Sequence, residues 1–92
     1  KVIVLDMEAI NQVDSTGEEM LEKLSDRLKA AGIEFYLART KLQVYEAFER
    51  SGLAKHIGEE RFFRERKYAL QYAKQQLGNA IDVEPLLNYM PA

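Results

Sequence analysis

The chain has 92 residues, of which 47% are hydrophobic and 30% charged, a composition typical of one small folded domain rather than a disordered segment. A net charge of −2 provides no basic excess for nucleic-acid binding, and the absence of cysteine excludes disulfides, thiolate zinc sites and a cysteine nucleophile. No apolar run approaches the ~18 residues of a membrane span, and the opening residues do not resemble a signal peptide, so we expect the isolated chain to be soluble.

The first predicted element is the aliphatic run of residues 2–5, which shows no alternation with polar residues. Such a run is typical of a parallel strand that is covered on both faces by helices. Asp6 ends the run, and a short polar loop follows it. Because a central parallel strand needs two neighbours and only one other strong strand follows, we expect further elements upstream of Lys1.

The candidate functional site is the turn between this strand and the first helix. Four residues form it: Asp14, Ser15, Thr16 and Gly17. It lies at the carboxyl edge of the predicted sheet, where open α/β sheets place ligands and contacts. Three capping arrangements fit the residues, namely Asp14 as N-cap, or a capping box that pairs Ser15 with Glu18 or Thr16 with Glu19.

The first helix has apolar residues at helical spacing and ends at Gly32. The residues predicted to face inward are Met20, Leu21, Leu24, Leu28 and Ala31. Residues 33–38 form the second predicted strand and complete a βαβ unit. Arg39, Thr40 and Lys41 follow at the same carboxyl edge as the turn. They are candidate contacts for weak binding of a nucleotide phosphate, although the sequence has no glycine-rich phosphate loop.

Two more helices and a packed connector are predicted in the second half of the chain. The residues expected to face inward are Val44, Ala47 and Phe48 in the second helix, Leu53, Ala54 and Ile57 in the connector, and Ala69, Leu70, Ala73 and Leu77 in a third helix over 65–77. Phe62 or Phe63 is expected to fill the core just before the third helix. We assign residues 1–78 to one domain and 79–92 to a C-terminal tail, which packs on this domain or on a second copy, with a linker or a loose segment as alternatives.

Two groups of charged residues are interpreted as structural. His56 is the only histidine, its only apparent acidic partners are Glu59 and Glu60, and no cysteine accompanies it, so no metal site is predicted. The second group is a basic run that comprises Arg61, Arg64, Arg66 and Lys67. We interpret its positive charges as balancing the negative charges of Glu59, Glu60 and Glu65. The alternative is contact with an acidic partner or with anionic lipid headgroups.

The segments VIVLDM, AINQVDSTG and FERSGLAKHIGEERFF, followed by the YALQYA helix, resemble the STAS domain, which is named for sulfate transporters and anti-sigma factor antagonists. They look most like the version at the cytoplasmic C-terminus of SulP-type anion transporters. The resemblance covers residues 2–73. It implies a STAS-like α/β sandwich, with a mixed β-sheet and helices packed on one side, whose first strands are missing from this chain.

The resemblance also implies a non-enzymatic domain that binds protein partners and sometimes, weakly, a nucleotide. No cofactor is predicted. The implied partners are the transmembrane domain of a parent transporter, a second copy of the chain or a soluble regulatory protein, at the cytoplasmic face of the plasma (inner) membrane. In the stand-alone regulators that the family contains, the serine after the aspartate is phosphorylated, and the matching position here is Ser15. A phospho-switch of the anti-sigma antagonist type is therefore the alternative. A phosphate there would be favoured by the helix dipole and repelled by Asp14, Glu18 and Glu19.

Overall fold

The computed structural model describes residues 1–77 and 83–85, which form strands and helices in an α/β arrangement. In chain order the elements are β1 (Val2–Asp6), α1 (Ser15–Ala30), β2 (Glu34–Ala38), α2 (Leu42–Ser51), α3 (Leu53–Ile57), a 3₁₀ turn (Glu59–Arg61), β3 (Phe62–Phe63), α4 (Arg66–Leu77) and β4 (Val83–Pro85). Among the described residues, no helix is both long enough and apolar enough to cross a membrane. The α/β class predicted from the sequence is confirmed.

The described strands form one sheet in the order β3-β2-β1-β4, with β1 and β2 in the centre. Ile3 lies opposite Phe35 and Leu5 lies opposite Leu37 in the β1–β2 pairing. All three described pairings are parallel, whereas a mixed sheet was expected. The reason is that helices cross over between β1 and β2 and between β2 and β3, and such a crossover brings the next strand back in the same direction.

Both faces of this sheet are covered by helices. On one face, alternate residues of β1 and β2 pack against α1, α2 and α3 around Phe48. On the other face, Val2, Val4 and Tyr36 pack against Ala69 and Ala73 of α4. The expectation of helices on one side only is therefore wrong for this chain. Both alanines are fully buried, and their small side chains let the backbone of α4 approach the sheet closely.

The two phenylalanines of β3 serve opposite faces because neighbouring strand residues point in opposite directions. The ring of Phe62 lies 5.1 Å from that of Tyr45, among the residues of the α2 face. The ring of Phe63 lies 5.6 Å from that of Tyr36, on the α4 face. Both rings are therefore part of the core, where the sequence predicted one or the other.

Most of the inward positions predicted for the helices are confirmed, although Ala47 is only half-buried. Leu21 is buried, and Leu24 and Leu28 pack against the core, but Met20 is 57% exposed and Ala31 is also exposed. Some apolar residues of the α1 segment therefore lie outside the face of the helix that packs on the sheet. The side chain of Leu77 lies outside the described residues.

The segment predicted as a tail contributes a short strand. Val83–Pro85 pairs in parallel with the first three residues of β1. Residues 78–82 and 86–92 lie outside the described part of the chain, so the boundary at residue 78 stays a prediction.

The core position of Phe48 leads to a stability prediction. Phe48 is fully buried between α2 and the sheet, so Phe48→Ala should lower the free energy of unfolding by about 3–5 kcal/mol through lost burial and a residual cavity. Leu42→Ala, in the same helix at a side chain that is 71% exposed, should change it by less than about 0.5 kcal/mol. Urea denaturation of both variants measures the difference, and equal losses would contradict the described core.

Candidate functional site

The turn at residues 14–17 opens α1, and the structure selects one of the three capping arrangements. Asp14 has an extended backbone and is the N-cap, and its Oδ1 accepts a hydrogen bond of 2.9 Å from the N–H of Gly17. Its carbonyl accepts from the N–H of Glu18 at 3.0 Å, which begins the helix. Ser15 and Thr16 therefore occupy the first two helical positions, and both residues are exposed.

Gly17 is required at its position by the packing of the loop that precedes the helix. A Cβ atom on Gly17 would lie 2.7 Å from Cγ1 of Val13, closer than real contacts allow. Val13 in turn packs against the core cluster. The glycine thus lets Val13 reach the core directly before the capped turn.

The surroundings of Ser15 are mainly acidic. A shallow depression of about 160 Å³ beside it is lined by Glu18, Glu19 and Glu22 of α1, and by Ser51 and Leu53 where α2 meets α3. These carboxylates oppose a permanently bound anion, although the helix N-terminus favours one. The depression suits contact with a polar or cationic partner surface better than retention of a phosphate.

The loop after β2 lies against the loop after β1, as expected for two loops at the same edge. Arg39 donates from Nε to Asp6 Oδ1 at 3.2 Å and from its terminal nitrogens to Asp6 and Glu8. The Lys41 ammonium donates to the carbonyl of Glu8 and, at 3.5 Å, to that of Ile10. Both cations therefore contact the start of the β1–α1 loop. The described contacts do not include the 14–17 turn itself.

The ion pair between Asp6 and Arg39 is partly buried. Burial raises the pKa of Asp6, but hydrogen bonds from Arg39 and the Glu8 N–H, with the charges of Arg39 and Arg66, lower it more, so that the pKa lies below its ordinary value of 3.8. The hydrogen bond to Asp6 raises the pKa of Arg39. The side chain of Asp6 is only 9% exposed, and Arg66 Nε lies 3.9 Å from it. Asp6 and Arg39 are thus both charged in this contact.

Asp6 and Glu8 were not singled out from the sequence. A signal was present, because a carboxylate ends one buried strand and a cation follows the next strand in a parallel pair. Thr40, between the two cations, has a buried Oγ1 with no hydrogen-bond partner among the described residues. Nucleotide contact at Arg39, Thr40 and Lys41 stays a prediction, and a phosphate there would compete with Asp6 and Glu8.

Two other charged groups have partners different from those expected. His56 Nε2 lies 2.8 Å from Asp26 Oδ1, an acid 30 positions away, whereas the sequence offered Glu59 and Glu60 as its partners. Glu22 lies close to this pair, and the ligand atoms of the three exposed residues fall within 4.8 Å of one another. Arg61 pairs with Glu34. Helix α3 and the 3₁₀ turn are thereby tied to α1 and β2.

Comparison with known proteins gives the class to which this fold belongs. The parallel sheet, the two helical layers and the capped turn at the carboxyl edge define a small α/β domain with an exposed loop edge. A family model described as the STAS domain matches residues 1–69, and the chain belongs to the STAS-domain family. No curated protein matches the chain significantly.

Solved structures that are similar to this one include two transporter-related proteins. A sulfate transporter family protein from Wolinella succinogenes is 30% identical, with a TM-score of 0.80, over 86% of this chain and 65% of that chain. SLC26A9 is 24% identical, with a TM-score of 0.79, over 83% of this chain and 12% of that chain, and this second likeness concerns the fold alone. The chain thus spans less than two thirds of the first structure and a small part of the second.

The low pKa of Asp6 leads to a prediction about acid stability. Because the folded pKa lies below the unfolded value, the stability that ionised Asp6 contributes is complete above about pH 4 and is lost as the pH falls through the folded pKa. Asp6→Asn should therefore be destabilised at pH 6 by about 2 kcal/mol, as for a lost charged hydrogen bond. Its deficit relative to the wild type should shrink below pH 4. Urea denaturation from pH 6 to pH 2 measures this deficit, and a deficit that does not change with pH would contradict the ionised pair.

Proposed function

We propose that this chain is a regulatory, protein-binding STAS domain of a SulP-type sulfate or other anion transporter. The observation that carries the proposal is the match of most of the chain, at 30% identity and a TM-score of 0.80, to a sulfate transporter family protein. The STAS family match over residues 1–69 agrees with it. The domain would lie at the cytoplasmic face of the membrane that contains the transporter.

The arrangement of polar groups supports a binding role without catalysis or a cofactor. Arg39 and Lys41 are engaged by protein carboxylates and carbonyls. The only histidine, His56, contacts Asp26 rather than a hydroxyl of the turn. Asp14 accepts from the backbone of Gly17. Ser15 and Thr16 thus remain available for contacts at the surface.

The surface of the turn and of α1 indicates the chemistry of its partner. Glu18, Glu19 and Glu22 border Ser15, so a cationic partner surface would be attracted and an anionic membrane surface repelled. Cytoplasmic loops of membrane proteins carry an excess of lysine and arginine. The transmembrane domain of the parent transporter is therefore the partner we propose for this surface, with a second copy or a soluble regulator as the other candidates.

The test uses the native gene product in its own cells. An antibody to this domain should detect a large polypeptide in the membrane pellet. A photo-crosslinking amino acid at Glu19, on the exposed side of α1, should then join the domain to a cytoplasmic loop of the transporter, as identified by mass spectrometry. The same group at Gln75, exposed on α4, is the matched control and should give no such product. A small cytosolic polypeptide would contradict the transporter assignment.

The exposure of Ser15 at the first helical position favours one alternative, a stand-alone phospho-switch of the anti-sigma antagonist type. A phosphate at Ser15 would add nearly two negative charges beside three glutamates and weaken contact with a partner. In that case Ser15→Asp should lose at least about tenfold in affinity for the partner, while Ser15→Ala binds constitutively. Thr16→Asp controls for charge at the neighbouring position. Equal affinities of Ser15→Ala and Ser15→Asp, measured by titration calorimetry, would exclude the switch.

A further inference from the structure

The β1–α1 loop, residues 7–13, connects the central strand to the 14–17 turn and is neither helix nor strand in the structure. Met7 and Ile10 bury their side chains in the core, and the Met7 N–H donates to the carbonyl of Ala38 at 2.8 Å. The other loop residues include Glu8, Asn11 and Gln12, which are polar and exposed. The conformation of this exposed part therefore depends on the hydrogen bonds and ion pairs that its polar groups form.

The side chain of Arg39 contacts this loop, and the backbone of Arg39 has a conformation that residues other than glycine rarely adopt. Its φ is +60°, and it is the only non-glycine residue with positive φ among the described residues. Its own N–H donates to the carbonyl of Phe63 at 2.8 Å, which fixes its backbone to β3. Left-handed backbone at a non-glycine residue is costly and persists where the surroundings compensate for it. Here the guanidinium gains two carboxylates, Asp6 and Glu8.

Lys41 shows a second departure from local preference. It occupies the N-cap of α2, a position where Ser, Thr, Asp and Asn are preferred, and its side chain makes no capping hydrogen bond. The ammonium instead crosses to the carbonyls of Glu8 and Ile10. The residue thus supplies donors to the β1–α1 loop and leaves the start of its own helix without a side-chain cap.

We propose that Arg39 and Lys41 are positioning residues that hold the β1–α1 loop and thereby orient the 14–17 turn. The two side chains contact three successive features of the loop: the carboxylate that precedes it, the side chain and carbonyl of Glu8, and the carbonyl of Ile10. The inference rests on the proposed function in one respect, because the turn that is held is the surface proposed to meet a partner. Arg39 and Lys41 would then support the contact surface from within the domain.

Hydrogen exchange of the free chain, read by mass spectrometry, tests the proposal. Arg39→Gly removes the guanidinium and tolerates positive φ, so it avoids the strain that alanine would add. Lys41→Ala removes the ammonium, and Lys41→Arg keeps a cationic donor. In Arg39→Gly and Lys41→Ala, the hydrogen-bonded amides of residues 8–18 should exchange about tenfold faster, while those of β2 and α4 stay unchanged. These amides belong to Glu8, Ile10, Gly17 and Glu18. Lys41→Arg should restore wild-type exchange.

A matched control comes from a second part-buried arginine–carboxylate pair that joins distant parts of the chain. Arg61→Ala removes the pair with Glu34, whose side chains are 28% and 31% exposed, and should leave the exchange of residues 8–18 unchanged. Unchanged exchange of that segment in both clamp variants, Arg39→Gly and Lys41→Ala, would overturn the proposal. So would equal acceleration throughout the chain, which would indicate a loss of global stability only.

The same variants separate this inference from the proposed function. Exchange is measured on the free chain and does not depend on a partner. If the loop loosens while the cross-link from Glu19 to the transporter keeps its yield, the positioning role stands and contact at this surface does not depend on the orientation of the turn. If exchange is unchanged and the cross-link forms, the transporter assignment stands and the positioning role is excluded.

Discussion

The burial of β1 on both faces is the constraint on which the rest of the structure depends. Its first four residues are all apolar and all less than a tenth exposed, so neither face of the strand can meet water. One face is covered through α1, α2 and α3, and the other through the two alanines of α4. The parallel direction of the strands follows from the same constraint, since the crossover helices that reverse the chain also supply the covering layers.

Local patterns accounted for much of the fold. The aliphatic run of residues 2–5 predicted a strand covered on both faces, and the structure agrees with that prediction better than with the one-sided helical layer that the family resemblance implied. Helix α1 and the end at Gly32 also followed from spacing and composition. The capping register did not, because Asp14, Ser15 and Thr16 are all good N-cap residues, and only the geometry distinguishes them.

The polar contacts were not predicted from local patterns, because their partners lie far apart in the sequence. Arg39 meets Asp6 across 33 positions, His56 meets Asp26 across 30, and Arg61 meets Glu34 across 27. Charge patterning along the chain favours near neighbours, so it paired the basic run with Glu59, Glu60 and Glu65. The location of the β1–α1 and β2–α2 loops at one edge was nevertheless predictable, because carboxyl ends of parallel strands share an edge.

The two-sided burial of β1 also bears on how the chain folds. The alanines that cover its second face follow it by more than 60 positions, so during synthesis the strand is made well before the helix that shields it. Until then, an uncharged β-branched segment is exposed to other chains, which is the kind of segment that associates non-specifically. Lys1 and Asp6 flank it with opposite charges, as gatekeeping residues do. The carboxylate of Asp6 thus places a charge at the end of this segment in the nascent chain and pairs with Arg39 in the folded domain.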